Sequence, residues 1–441
     1  MTRPKKSDSL EAIIDRARSS AEAGDVDGAW REMSRHRDLL TQEPLFAWAW
    51  LVLQGRFGQA PDRRETLELL LRTWPRFPPV LDGAANALLA EVDGRAADEP
   101  VPDDDPSWPA MVGVANAITS LSETDLHDPE IGGSLFNTLG NALRLAGPEA
   151  GELAPRAYER AIALHPRNTS WRFDLGLFYK GRRRFEAALE CFRHAAEGAG
   201  NDEATQWNIA ICATGAGRAS EAMAAWNALG FGATMGPDGR PFVGDLGDVK
   251  VRLAAGGDFE HVWARPRSPC HGEVMNATLF DGEADAGDVV LWDGQPIGYV
   301  EVEGHRVPRF ASLGLLERGS LRTYRFLAEQ PDPETIGQVD RDLPDFATLY
   351  VFEAAVRHLC SACIRGEGPH DLHRDEAPEL GERVHGKLVV PRDVDLRAVA
   401  QRLEQDARGR GVRLAVPSLL SAAGDELGAQ RHRRLWAELE A

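Results

Sequence analysis

From about Ser9 to Phe231 the apolar positions recur every three or four residues, in blocks of roughly 10 to 16 separated by Gly, Pro and Asp. The first block shows the pattern: Leu10, Ile13, Ile14 and Ala17 share one face of a helix. From about Val249 the texture changes. Val249, Val251 and Leu253 alternate with polar neighbours, as do Val289 and Leu291, then Ile297 and Tyr299. Two strand-helix-strand patterns follow. One runs from Tyr324–Leu327 through a helix near Pro333–Arg341 to Leu349–Phe352. The other runs from Leu388–Val390 to Val412–Val416, through a helix with Leu396, Val399, Ala400, Leu403 and Ala407 on one face. A last helix spans Gly424–Glu440, and Asp293-Gly294 reads as a hairpin turn between Val289–Trp292 and Ile297–Val302. The pattern predicts a multidomain chain: helices over 9–95 and 107–232, a linker rich in turn formers over 233–248, and an α+β domain with a mixed sheet over 249–441. The acidic stretch Asp98–Pro106 reads as an exposed loop.

A repeat is visible within the helical half. Leu175-Gly176 aligns with Ile209-Ala210, 34 residues later, and the register carries Tyr179 to Ala213, Gly181 to Gly215, Ala188 to Ala222, Phe192 to Trp226 and Ala195 to Leu229. Arg183 against Gly217 and Phe185 against Ala219 do not match. Small residues stand where two helices must touch, and large ones fill the space between them. An earlier copy fits with a two-residue insertion, opening at Leu139-Gly140 and closing with Ala154, Tyr158, Ala161 and Pro166. Three copies, at 133–168, 169–202 and 203–232, thus resemble the tetratricopeptide repeat family. The first departs from its pattern at Leu143, and the third has Ala213 for the first-helix aromatic and lacks a closing Pro. Upstream, Gly24–Trp30 looks like an inter-helix turn and the stretch around Thr66, Leu70 and Leu71 like a second helix, so 9–95 reads as degenerate repeats or as ordinary packed helices.

The resemblance implies a helical solenoid whose first helices line a groove that holds a peptide or partner protein. In this register the groove positions are Asn137, Asn141 and Arg144, then Phe173, Leu177 and Lys180, then Trp207 and Ile211. Either a partner or the C-terminal half covers the apolar strip around Phe173 and Trp207. Asn141 and Lys180 resemble part of the family's carboxylate clamp, whose full set is absent.

Charge narrows the partner. The formal net charge of −19 over 441 residues argues against nucleic acid, whose phosphates need clustered Lys and Arg, and against an electrostatic membrane anchor. The N-terminal stretch is basic and polar with no apolar core, and no run of about 18 apolar residues occurs, so a cytoplasmic protein is expected. Five cysteines make no disulfide framework.

Three clusters could carry chemistry in the second half. Cys360 and Cys363, followed by His370 and His373, have the ligand types for tetrahedral zinc. Ala355, Val356, Leu359, Cys360 and Cys363 equally make an apolar helix face, where cysteine packs as a small side chain. Cys270 and His271, between Pro269 and Gly272, are expected in an exposed turn, as a nucleophile, a metal ligand or plain loop. Asp281–Asp288 alternates carboxylates but lacks the glycine and closing glutamate of a calcium loop. No cofactor is expected outside these. The leading expectation is a protein-protein interaction protein, and the alternative is an enzyme or zinc module in 249–441.

Overall fold

The computed structural model describes residues 9–57, 63–92, 107–122, 124–126, 128–145, 153–199, 202–244, 246–255, 258–279, 282–302, 304–343, 347–352 and 381–441. The acidic stretch expected as a loop, 98–106, lies outside the described residues. The chain divides into two compact units, Met1–Cys212 and Ala213–Ala441, the division falling within the helix Glu203–Gly215.

The first unit is helical throughout: α1 (Leu10–Glu22), α2 (Val26–Ser34), α3 (Pro44–Phe57), α4 (Arg63–Thr73), α5 (Pro78–Val92), α6 (Ser107–Thr119), α7 (Pro129–Leu145), α8 (Ala154–Leu164), α9 (Ser170–Gly181), α10 (Phe185–Ala199) and the start of α11 (Glu203–Gly215). The helices alternate between two rows. In the first row α3 packs on α5, α5 on α7 and α7 on α9; α4, α6, α8 and α10 pack against it. This is the tetratricopeptide-like arrangement, and its register is the one the repeat requires. Gly176 on α9 lies against the ring of Phe192 on α10, and Gly140 on α7 against the ring of Tyr158 on α8. Asp25 caps α2 by accepting from the Gly28 amide, after a left-handed Gly24 (φ +91°). The turn between α9 and α10 uses the same left-handed conformation at Arg183 (φ 57°). The position aligned with it, Gly217, has φ 72°. The mismatch in the repeat is therefore one of residue type and not of backbone, and a side chain at φ 57° costs about 1–2 kcal/mol relative to glycine. Among the described residues no helix is long and apolar enough to cross a membrane.

The second unit takes the end of α11 and continues with α12 (Ala219–Ala228). The stretch expected as a plain linker holds a small hairpin, β1 (Thr234–Met235) with β2 (Pro241–Phe242). Five strands then close into a barrel: β3 (Val249–Ala255), β4 (Asp258–Ser268), β5 (His271–Val274), β6 (Val289–Val302) and β7 (His305–Glu317). Neighbours are antiparallel, and a parallel pairing of β3 with β7 closes the ring. Val251, Val262, Ala264, Val290 and Trp292 fill the inside. The expected Asp293-Gly294 hairpin is corrected here: β6 runs through it as one strand, with a bulge between Trp292 and Pro296. Pro296 has no amide to donate, so the ladder slips there instead of turning back. The chain reverses later, around Gly304 (φ +79°).

Beyond the barrel, β8 (Leu321–Glu329), α13 (Thr335–Asp342), β9 (Thr348–Val351), β10 (Arg383–Pro391), α14 (Leu396–Gly409) and β11 (Arg413–Ala415) make a second body. Its sheet is antiparallel in the order β11-β8-β10-β9, the split βαβ arrangement of ferredoxin-like folds. Both strand-helix-strand patterns are present, and α14 buries the predicted face. The parallel pair that makes the α+β half mixed belongs to the barrel. α15 (Pro417–Ala422) and α16 (Glu426–Glu440) follow, and Leu435, Trp436 and Leu439 of α16 pack with Leu327 and Ala415 on the sheet.

Candidate partner-binding face

The first row of helices carries the positions expected to line the groove. Its start is apolar. α3 carries apolar residues on all sides, so packing one side leaves others in water. Leu45, Trp48 and Val52, at i, i+3 and i+7, remain 51%, 39% and 40% exposed. α5 approaches α3 through Gly83, where a Cβ would lie 2.9 Å from Leu51 and 3.4 Å from Trp48. Next to Gly83, Asp82 accepts from Asn86 Nδ2 at 3.2 Å. Burial raises its pKa above the ordinary carboxylate value, against the Thr138 and Asn86 hydrogen bonds. Its Oδ1 has no hydrogen-bond partner among the described residues.

The row continues with a polar ladder. Asn137 Nδ2 and Asn141 Nδ2 on α7 both donate to Asp174 Oδ2 on α9, at 2.8 and 3.3 Å. Tyr158 Oη donates to Asn141 Oδ1 at 2.9 Å, and burial raises the Tyr158 pKa. Asn137 Oδ1 and Arg144 Nε are buried without partners among the described residues. Asp174, central to the ladder, is absent from the sequence-derived set, as are Leu45, Trp48 and Val52. Phe173 is half-buried with its ring edge-on to Phe192 (5.3 Å), and Leu177 and Trp207 are half-buried as well. Lys180 and Ile211 are closed to solvent, Lys180 Nζ donating to Asn208 Oδ1 at 2.8 Å. A ligand on this face would meet the exposed apolar side chains of α3.

The second unit puts its candidate chemistry out of reach. Cys270 and His271, expected in an exposed turn, are fully buried. The Trp292 indole holds that turn down by donating to the Pro269 carbonyl at 3.0 Å. Ser268 Oγ lies 2.6 Å from His271 Nδ1 and 3.6 Å from Cys270 Sγ, and Asp238 Oδ2 is 3.9 Å from His271 Nε2. The residue types are those of a hydrolase triad, but serine and histidine are both sealed from any substrate. Burial pushes the Cys270 thiol up to about 12 and His271 down to about 4, so neither thiolate nor imidazolium forms near neutral pH. In the acidic run, Asp285 is engaged by Lys387, Thr323 and the Thr278 amide, and Asp288 by Arg318 and the Gly319 amide. No group of three or more His, Cys, Asp or Glu among the described residues is placed to hold a metal ion. Cys360, Cys363, His370 and His373 lie outside the described residues.

No family model matches the chain, and no curated protein does. Solved structures similar over about half of it include the thermophilic TPR protein TTC0263 of Thermus thermophilus, at 16% identity and a TM-score of 0.32, covering 46% of this chain and 98% of that one. MamA is similar at 18% identity and a TM-score of 0.24, over 49% and 86%. Yeast Tom70 is similar at 16% identity and a TM-score of 0.33, over 48% and 45%.

Proposed function

We propose that the helical unit recruits a partner protein in the cytoplasm, holding an extended or helical segment along the first row of helices. The observation that carries this is the exposed stripe Leu45, Trp48 and Val52 on one face of α3. Large apolar side chains on one helical face attract a matching face, and an aromatic among them is the residue type most enriched at binding hot spots. The net charge of −19 favours a partner that brings positive charge and disfavours nucleic acid.

The test compares the chain with its Leu45→Glu, Val52→Lys double variant in quantitative co-purification. Both sites are exposed, so folding stability is expected to change by no more than about 0.5 kcal/mol per site. A protein recovered at least about tenfold less by the variant, equivalent to about 1.4 kcal/mol, supports the reading. Identical recovery of every protein by both forms would refute it.

A further inference from the structure

The split-βαβ sheet has two faces. α13 and α14 cover one. On the other, barrel residues meet Lys387 and Arg325, and α16 packs on Leu327 and Ala415. Beside Arg325 and α16 lies a shallow depression, largely open to solvent, of about 290 Å³, lined by Arg325, Pro417, Ser418, Arg433 and Trp436. We propose that this depression binds a compact organic anion with a flat apolar body, such as an aryl phosphate or an aryl carboxylate.

Four observations converge on that class. The volume of about 290 Å³, open on one side, is enough to seat one ring beside its acidic group. Two arginines from different elements line the same depression, and guanidinium is the group suited to planar, bidentate recognition of carboxylate or phosphate. Arg325 is held in place by its Nη2 donating to the Leu279 carbonyl at 3.0 Å, whereas Arg433 makes a loose ion pair with Glu426, at 4.0 Å. The half-buried Trp436 supplies a flat surface for a ring, and the exposed Ser418 supplies a hydroxyl donor. Finally, α16 carries Arg431, Arg433 and Arg434 within four residues, a local reversal of sign in a chain of net charge −19. Such a focus of positive charge raises the local concentration of a small anion.

The experiment uses the full chain labelled with 5-fluorotryptophan and followed by fluorine NMR, the Trp436 resonance being assigned from Trp436→Phe. Phenyl phosphate, benzoate, inorganic phosphate and uncharged phenol are titrated separately. A saturable shift of Trp436 is expected with phenyl phosphate or benzoate, at least about tenfold weaker with inorganic phosphate or phenol. Which of the two acids binds tighter identifies the head group. Arg433→Gln, at an exposed position that leaves the fold intact, should weaken the tighter acid about tenfold, the loss of one charge-assisted contact. Arg325→Gln should do the same. No saturable shift of Trp436, equal binding of phenol, or unchanged affinity in Arg433→Gln would each overturn the proposal.

Discussion

Gly176 and Phe192 touch across the α9–α10 hairpin so closely that a Cβ on Gly176 would come 2.7 Å from Phe192 Cε1. Phe192 is fully buried, so its ring has no space into which to withdraw. Gly176→Ala gains about 1 kcal/mol of helix propensity but adds an overpacking cost of about 1–3 kcal/mol. The expected outcome is a lower urea midpoint for Gly176→Ala and recovery when Phe192→Leu is added. A midpoint raised by the alanine would show that the contact does not constrain the hairpin.

That contact was legible in the sequence because repetition shows which small residue faces which aromatic: Gly140 with Tyr158 and Gly176 with Phe192 stand in the same register. The exposed stripe was not. Pro44–Phe57 is apolar all round, so periodicity cannot say which side faces water, and only the packing of α5 through Gly83 decides it. The same division runs through the second unit. The face of α14 and the alternation of β3 are local patterns and could be read directly. Barrel closure depends on β3 meeting β7, strands distant in sequence, and no local pattern encodes that. Asp293-Gly294 misleads for a related reason, since turn propensity is local whereas a bulge is set by the neighbouring strand. Cys270 and His271 sit among Pro and Gly, which signal a turn but not whether the turn is covered.

The buried imidazoles of the barrel should make its stability depend on pH. Burial holds His271 at about 4 and His261 at about 3, below the ordinary 6.5; for His261 the nearby Arg309, Arg252 and Lys250 add to burial. As pH falls below 6.5 the unfolded chain takes up protons that the folded barrel refuses. The stabilisation is therefore complete above pH 6.5 and is lost progressively toward about pH 4. At about 1.4 kcal/mol per tenfold change in proton affinity, His271 alone accounts for a loss of about 3 kcal/mol. Urea unfolding of the barrel transition, identified by hydrogen exchange over 249–317, should show this slope, and His271→Gln should reduce it, leaving the part due to His261. If the variant kept the full slope between about pH 6.5 and about pH 4, His271 would not be the group responsible.

Lys387 ties the barrel to the sheet. Its Nζ donates to Asp285 Oδ2 at 2.6 Å and to Thr278 Oγ1 at 2.9 Å, from an almost wholly buried position. Burial opposes the Asp285 charge, but Lys387, the Thr278 amide and Thr323 together hold its carboxyl below the ordinary value. Lys387→Met removes the cation and leaves that carboxylate in a poorly hydrated site, which should cost about 3–5 kcal/mol. Adding Asp285→Asn removes the stranded charge while keeping an acceptor for Thr323, so the double variant should be more stable than Lys387→Met alone. A double-mutant cycle on the urea midpoint measures the coupling. Strictly additive losses would mean that the pair does not act as a unit.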